Sequence, residues 1–172
     1  MGYAGGRMVN PTYRQMGDHT ETFQVDYDPT LISYGELLDL YWNSHNPFRQ
    51  TMSRQYMNII FTHNEEQEKL ARESKALLEQ KQNGEVATEI VSFSKFYPAE
   101  DYHQKYYLQG RSALMNEFKR FYPNFQDFID STAAARVNGY ISGYGDTASL
   151  SLELEDLGLS PRGAEILQGL VR

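Results

Sequence analysis

Alternating apolar and polar side chains predict several short strands in the first half of the chain. Residues 21–27 alternate regularly, so an extended backbone places Glu21 on the same face as Phe23. The same period over 55–62 brings bulky side chains to both faces, which is typical of a covered, central strand. We predict further strands at 2–4 and 85–93.

Apolar residues with helical spacing predict helices after these strands. Ser33-Tyr34-Gly35-Glu36 has the form of a capping box that opens a helix, and Asn46-Pro47 ends it. A charged helix is predicted over 64–82, with Asn64 as its N-cap and Asn83-Gly84 as its end. We predict later helices from Pro98, from Ser112, over 125–135 and from Ser160-Pro161.

The order of these elements favours an α+β fold. Strands and helices mix in the first part of the chain, whereas the segment from Ser112 onward is helical in character. We therefore predict a first domain over 1–110 and a helical C-terminal extension over 111–172.

Composition narrows the possible functions. The net charge of −7 argues against a nucleic-acid partner, because such binding depends on Lys and Arg neutralising phosphates. No stretch approaches the ~18 apolar residues of a membrane span, and the N-terminus has no apolar signal-peptide core, so we expect a soluble protein. The expected location is the cytoplasm, and any targeting peptide would lie upstream of Met1. The chain contains no cysteine, which excludes disulfides, thiolate metal sites and a resolving thiol within it.

Nine short motifs, spread over residues 2–108, resemble in their order those of the peptide methionine sulfoxide reductase A family. They include Gly-Tyr-Ala-Gly-Gly at 2–6, Asn-Pro-Thr-Tyr at 10–13, Gln-Tyr at 55–56 and Phe-Tyr-Pro-Ala-Glu-Asp-Tyr-His-Gln-Lys-Tyr at 96–106. The others lie at 27–29, 32–34, 41–42, 45–47 and 88–90. The resemblance implies a two-layer α/β sandwich with a ferredoxin-like core and an enzyme that reduces methionine (S)-sulfoxide, free or in proteins.

The resemblance also implies a nucleophile that this sequence does not contain. The family's cysteine or selenocysteine lies in a Gly-Cys/Sec-Phe-Trp-Gly motif ahead of the segment that matches residues 2–6. We therefore expect Met1 to be an internal methionine of a longer protein, with a strand, a helix and the nucleophile upstream. On this interpretation the 172 residues are inactive by themselves.

Three residues take catalytic roles by resemblance: Glu21 as proton donor, with Tyr13 and Tyr56 as hydrogen-bond donors to the sulfoxide oxygen. The strand pattern agrees for Glu21, because burial beside Phe23 would favour the protonated acid. From the residues alone, Tyr13 could equally be a loop aromatic and Tyr56 an ordinary core tyrosine. Thr51 stands where many family members carry an aspartate.

Two other sets of polar residues could suggest general-base or metal chemistry, but neither is assigned that role. His19 is interpreted as a surface or hydrogen-bonded structural histidine rather than a general base. Glu100, Asp101 and His103 have the spacing of metal ligands, but no further ligand converges on them, so no metal is assigned.

The resemblance implies no bound cofactor, and the expected reductant is an external thiol, thioredoxin or glutathione. The expected partners are oxidised proteins or peptides that contain methionine sulfoxide. Two alternatives stay open: an inactive module that binds methionine sulfoxide or a protein, and an interaction module built on residues 112–172.

Overall fold

A computed structural model describes residues 1–171, which form two compact units, one over Met1–Glu100 and the other from Asp101 onward. The first unit mixes strands and helices and the second is helical, which confirms the predicted α+β class and the helical extension. The predicted boundary between residues 110 and 111 remains a proposal. No helix among the described residues is long and apolar enough to cross a membrane.

The first unit contains two small sheets. In one, β1 (Gly2–Ala4) lies between β2 (Thr20–Thr22) and β5 (Phe96–Pro98) and pairs antiparallel with both. In the other, β3 (Ile59–Thr62) and β4 (Glu89–Ser92) pair in parallel. A 3₁₀ turn, Arg54–Tyr56, precedes β3.

Side-chain caps define the two helices of this unit. Helix α1 (Tyr34–Asn43) begins with the predicted capping box: Ser33 Oγ accepts from the Glu36 amide, and the Ser33 amide donates to Glu36 Oε2 at 2.8 Å. Helix α2 (Glu65–Gln82) starts at Asn64, whose Oδ1 accepts from the Gln67 amide at 2.8 Å. It ends where Asn83 adopts a left-handed conformation with φ of 50°.

The main core of the first unit lies between these helices and the parallel strands. Trp42 is buried and its indole N–H donates to Ser74 Oγ at 3.0 Å, so the polar atom of this large side chain is satisfied. The other buried members of the cluster are Leu38, Ile60, Ala71 and Val86. This packing holds α1 and α2 against β3 and β4.

Three predicted strands are shorter than the sequence pattern indicates. The strand predicted over 85–93 is reduced to Glu89–Ser92. The strand predicted over 21–27 ends at Thr22, because its neighbour β1 has only three residues to pair with, and Phe23 is 68% exposed. The strand predicted over 55–62 begins at Ile59, where the register opposite Glu89 starts. Tyr56 therefore lies in a turn rather than in a central strand.

The helix predicted from Pro98 was also placed wrongly. Pro98 ends β5, a strand that the sequence analysis missed, and pairs across from Gly2. Proline is tolerated there because it terminates the strand and β5 pairs with one neighbour only. The helix α3 (Tyr106–Gln109) begins only after Lys105, whose φ is 47°.

The second unit packs its helices around one apolar core. The helices after α3 are α4 (Ser112–Phe121), α5 (Phe125–Asp130), α6 (Thr132–Ile141), α7 (Thr147–Glu153) and α8 (Pro161–Leu170), with 3₁₀ turns at Asp101–His103 and Leu154–Leu157. Phe118 and Phe128 meet edge to face at the centre, with ring centroids 6.1 Å apart. As predicted, Ser160 caps α8 and Pro161 is its first residue.

Candidate active site

Glu21 lies in the middle of β2, opposite Tyr3 of β1, and is half-buried. Its Oε1 accepts a hydrogen bond of 2.6 Å from the side-chain amide of Gln55. The turn that carries Gln55 is fastened to β2 by a second bond, in which Thr20 Oγ1 donates to the Arg54 carbonyl at 2.9 Å. The sheet and the turn thus place the Glu21 carboxyl and the Gln55 amide together.

Tyr56 follows Gln55 in the same turn and leaves 52% of its surface exposed. The Tyr13 side chain raises the pKa of the Tyr56 phenol, and desolvation and the charge of Glu21 raise it further. The Gln55 side chain acts in the opposite direction and lowers it. The net shift is upward, so the hydroxyl stays protonated at neutral pH and can donate a hydrogen bond.

Tyr13 lies in a tight loop in which Thr12 and Gln15 form an isolated bridge. Its backbone amide donates to Glu100 Oε1 at 3.0 Å, and the hydroxyl of the buried Tyr3 donates to Glu100 Oε2 at 2.7 Å. The Glu100 carboxyl therefore anchors this loop to β1, the central strand of the sheet.

The loop between β1 and β2 is braced from within by two polar side chains. His19 is 1% exposed; its Nδ1 accepts from the Gly6 amide at 3.1 Å, so its Nε2–H donates to the Met8 carbonyl at 2.8 Å. Asp18 Oδ1 accepts from the Arg7 amide at 2.8 Å, and this bond lowers the pKa of the Asp18 carboxyl. His19 is thus the hydrogen-bonded structural histidine that the sequence analysis favoured.

Glu21, Gln55 and Tyr56 line a cavity of about 690 Å³ in the first unit. Most of the surrounding wall is apolar or aromatic and comes from α1, the segment after β2, and β3. The apolar side chains on that wall include Phe23, Val25, Leu37, Leu40, Tyr41, Phe61 and Phe96. A few polar groups therefore converge at one side of an apolar space, which is the usual composition of a small-ligand site.

The structure brings together the three residues proposed from the sequence. Tyr13 and Glu21 both lie near enough to Tyr56 to raise the pKa of its phenol, although Tyr13 does not line the cavity itself. Thr51 is exposed and its hydroxyl donates to the Ser53 carbonyl at 2.9 Å. Among residues 1–171 no group of three His, Asp or Glu side chains is arranged to hold a metal ion.

Sequence reasoning did not assign roles to Gln55 and Glu100. Both belong to motifs that carry the family resemblance, at 55–56 and 96–106, so the signal was present without a function attached to it. Their contacts join segments 34 residues apart for Gln55 with Glu21, and 87 residues apart for Glu100 with Tyr13. Only the folded structure shows such pairings.

Comparison with known proteins gives consistent matches. Residues 1–136 match the family described as peptide methionine sulfoxide reductase, and residues 124–171 match the helical domain of selenoprotein methionine sulfoxide reductase A. A peptide methionine sulfoxide reductase of Drosophila melanogaster is 45% identical over 163 residues, which cover 94% of this chain and 65% of the relative. The MsrA protein of Sulfolobus acidocaldarius (strain ATCC 33909 / DSM 639 / JCM 8929 / NBRC 15157 / NCIMB 11770) is 37% identical, over 73% of this chain and 80% of the relative.

One relative from a plant and one solved structure extend these matches. Peptide methionine sulfoxide reductase A5 of Oryza sativa subsp. japonica is 40% identical, over 81% of this chain and 57% of the relative. The crystal structure of reduced Mxr1 from Saccharomyces cerevisiae superposes with a TM-score of 0.58 at 28% identity, covering 64% of this chain and 69% of that one. The chain thus spans 65% and 57% of the length of the first two relatives.

Proposed function

Because this chain belongs to the peptide methionine sulfoxide reductase family, we propose that it forms the acid and hydrogen-bonding part of a site that reduces methionine (S)-sulfoxide to methionine. The observation that carries the proposal is the convergence of Glu21, Tyr56 and Tyr13 beside an apolar cavity. The substrate side chain has matching parts: a polar sulfoxide oxygen and an apolar methyl and methylene portion. The proposed substrates are oxidised proteins, peptides and the free amino acid.

The chemistry needs a proton donor next to the sulfoxide oxygen. When a thiolate or selenolate attacks the sulfoxide sulfur, the S–O bond breaks and the oxygen must be protonated. In the proposed mechanism Glu21 gives that proton, and the hydroxyls of Tyr56 and Tyr13 donate hydrogen bonds to the oxygen as its charge develops. The attack forms a bond between the nucleophile and the substrate sulfur, and the protonated oxygen leaves as hydroxide. The hydroxide then attacks the nucleophile atom, whose bond to the substrate sulfur breaks, so the substrate departs as a thioether and the nucleophile is left oxidised as a sulfenic or selenenic acid.

The 172 residues contain no cysteine, so the proposal places the nucleophile in a segment outside this sequence. The match of residues 124–171 to a domain named for a selenoprotein supports selenocysteine there. With no resolving cysteine in these residues, the oxidised nucleophile is regenerated by an external thiol, thioredoxin or glutathione. Two thiols become a disulfide and the oxygen leaves as water. The cytoplasmic location expected from the sequence stays a prediction.

The test begins with the reading frame upstream of Met1, which is sequenced and expressed together with these residues. A cysteine codon or an in-frame UGA within a Gly-Xaa-Phe-Trp-Gly run is expected. The expressed protein is then assayed with the S and R epimers of a methionine sulfoxide derivative and a dithiol. Reduction of the S epimer alone is expected, and a protein that carries the nucleophile but reduces neither epimer would refute the proposal.

Substitutions in the same protein test the assigned roles. Glu21→Gln removes the acid and is expected to lower kcat about 100-fold or more, within the range of general acid catalysis. Glu68→Gln is the matched control, because Glu68 pairs on the surface with Arg72 of the same helix at 2.7 Å. Wild-type kcat in Glu21→Gln would remove Glu21 from the mechanism.

The absence of cysteine is also the observation behind the alternative of an inactive binding module. That alternative predicts saturable binding of a methionine sulfoxide peptide to the 172-residue chain and no turnover by any form of the protein. Turnover by the extended protein would exclude it.

A further inference from the structure

The side chain of Gln55 contacts one of the three proposed catalytic groups and lies close to a second. Its Nε2 donates to Glu21 Oε1 at 2.6 Å, and Tyr56 follows Gln55 in the same turn, near enough for the Gln55 side chain to lower the pKa of its phenol. A primary amide nitrogen carries two N–H donors, so one remains after the bond to Glu21. We propose that Gln55 is a positioning residue that fixes the Glu21 carboxyl with its proton on Oε2 and holds that carboxyl beside the Tyr56 hydroxyl. This inference rests on the proposed function.

The choice of oxygen follows from hydrogen-bond chemistry. Glu21 Oε1 accepts from Gln55 at 2.6 Å, which engages that oxygen as an acceptor. A carboxylic acid has one O–H, so Oε2 is the favoured position for the proton that the reaction uses. Without the amide, the terminal torsion of Glu21 is broad and roughly two-fold, and either oxygen could carry the proton. Gln55 therefore selects one productive orientation of the acid.

The turn that carries Gln55 is itself fastened to its surroundings. Thr20 Oγ1 donates to the Arg54 carbonyl at 2.9 Å on one side, and the Tyr56 amide donates to the Ser53 carbonyl at 3.1 Å within the turn. The Arg54 guanidinium reaches Glu89 Oε2 at 3.3 Å on β4. The turn is thus fastened to both sheets of the first unit, which a positioning residue requires.

The charges next to Gln55 do not substitute for its amide. Arg54 directs its guanidinium to Glu89, to the Met57 sulfur at 3.4 Å and to the Asp18 carbonyl at 3.4 Å. Each of these partners accepts one of its N–H groups, and Glu21 is not one of them. The neutral amide is therefore the donor assigned to Glu21.

The first experiment needs no nucleophile and uses the 172-residue chain. Tyrosine labelled for NMR at its phenol carbon is titrated in the wild type, in Gln55→Leu and in Gln50→Leu, with Tyr56→Phe to assign the signal. Because the Gln55 side chain lowers the pKa of Tyr56, the Tyr56 signal should titrate at higher pH in Gln55→Leu. An unshifted Tyr56 signal in a folded Gln55→Leu chain would overturn the proposal.

Gln50 is the matched control for this experiment. It is a glutamine in the preceding loop that donates to the Ala87 carbonyl at 3.1 Å and accepts from the Asn58 amide at 2.9 Å. Its substitution removes the same kind of side chain without touching the proposed site. The Tyr56 titration should therefore be that of the wild type in Gln50→Leu.

The second experiment measures turnover in the protein that includes the upstream segment. Gln55→Leu should lower kcat about 10- to 100-fold, a part of the contribution of a well-placed general acid, and change KM by less than about threefold. Gln55→Glu keeps the size but puts a second acceptor against Glu21, so it should lose at least as much. Gln50→Leu should keep wild-type kcat.

The outcomes separate the two proposals. A wild-type protein with its nucleophile that reduces no sulfoxide refutes the proposed function, whatever the tyrosine titration shows. An active wild type in which Gln55→Leu and Gln55→Glu both keep full kcat refutes the positioning role alone. Loss of kcat in both variants, together with the shift of Tyr56, supports it.

Discussion

The Glu100 carboxyl offers a direct test of how the site is held to the fold. It accepts from the hydroxyl of Tyr3 at 2.7 Å and from the backbone amide of Tyr13 at 3.0 Å. Tyr3 is 1% exposed, so its hydroxyl would lose this acceptor in an interior position if Glu100 were truncated. The prediction is that Glu100→Ala destabilises the first unit and loosens the Tyr13 loop.

The expected loss of stability follows from the two hydrogen bonds that Glu100 accepts. A hydrogen bond to a charged group contributes about 1.5–3 kcal/mol, and a buried donor left without a partner costs about 1–3 kcal/mol. Since the Tyr13 bond is exposed and counts for less, we expect Glu100→Ala to lower the free energy of unfolding by about 2–4 kcal/mol. Glu100→Gln keeps one acceptor oxygen and should cost about half as much, roughly 1–2 kcal/mol.

Trp42 provides the assay, because it is the single tryptophan and is buried in the core of the first unit. Urea unfolding is followed by its fluorescence in the wild type, Glu100→Ala, Tyr3→Phe and the double variant. The coupling energy of this cycle isolates the Tyr3–Glu100 bond and should be about 1–2 kcal/mol. Glu73→Ala on the exposed face of α2 is the control and should change stability by less than about 0.5 kcal/mol.

A double-mutant coupling within about 0.3 kcal/mol of zero, the usual error of additivity, would refute a stabilising Tyr3–Glu100 bond. Equal stability of Glu100→Ala and Glu100→Gln would also refute it, because the two variants differ in the number of acceptor oxygens that remain. In the protein with its nucleophile, a lower kcat in Glu100→Gln than in Glu73→Ala would connect the anchor to the site.

Two further predictions concern the helical unit. Phe128→Ala leaves a cavity at a buried position and should lower the free energy of unfolding by about 3–5 kcal/mol. Phe121 is 60% exposed, so Phe121→Ala should lower it by less than about 0.5 kcal/mol. Urea unfolding followed by circular dichroism measures both, and equal losses of stability would contradict the assigned core. Burial and the hydrogen bond to Glu153 raise the pKa of Tyr140 to about 12, so the folded state keeps a proton that the unfolded state releases above its ordinary pKa of about 10. Stability from this group is therefore present below pH ~10 and lost as the pH rises toward the folded value. The urea midpoint should fall less in Tyr140→Phe over that interval, and parallel curves would refute the linkage.

Much of the first unit could be predicted from local sequence signals. The capping box at Ser33 and Glu36 and the Asn64 cap are short-range chemistry, and both occur as predicted. Strand ends could not be predicted in the same way, because they depend on partners far along the chain. The alternation over 55–62 continues past the point where β4 begins to pair with β3 at Ile59. Tyr56 was assigned to a strand for that reason.

In the candidate site, too, some residues could be predicted from local motifs, whereas contacts between distant segments could not. Glu21, Tyr13 and Tyr56 were predicted because their motifs resemble those of a family, and the structure places their side chains near one another. The buried strand face predicted for Glu21 is not found, since Phe23, its expected neighbour on that face, is 68% exposed. Glu21 is half-buried, and its carboxyl accepts a hydrogen bond from Gln55 of the turn.

Gln55 and Glu100 take no direct part in the proposed reaction, but each contacts a residue that does. This explains why the motifs extend beyond the reactive groups. Gln55 holds the Glu21 carboxyl, and Glu100 holds the Tyr13 backbone. Thr51 has no carboxylate to offer the site, and its hydroxyl donates to the Ser53 carbonyl. Glu21 is then the one carboxyl group among the proposed catalytic residues. With no second carboxylate beside it, its orientation depends on neutral hydrogen-bond donors. This places the greater demand on the Gln55 amide, since its loss would leave Glu21 without the one side-chain hydrogen bond that the structure shows at its carboxyl among residues 1–171.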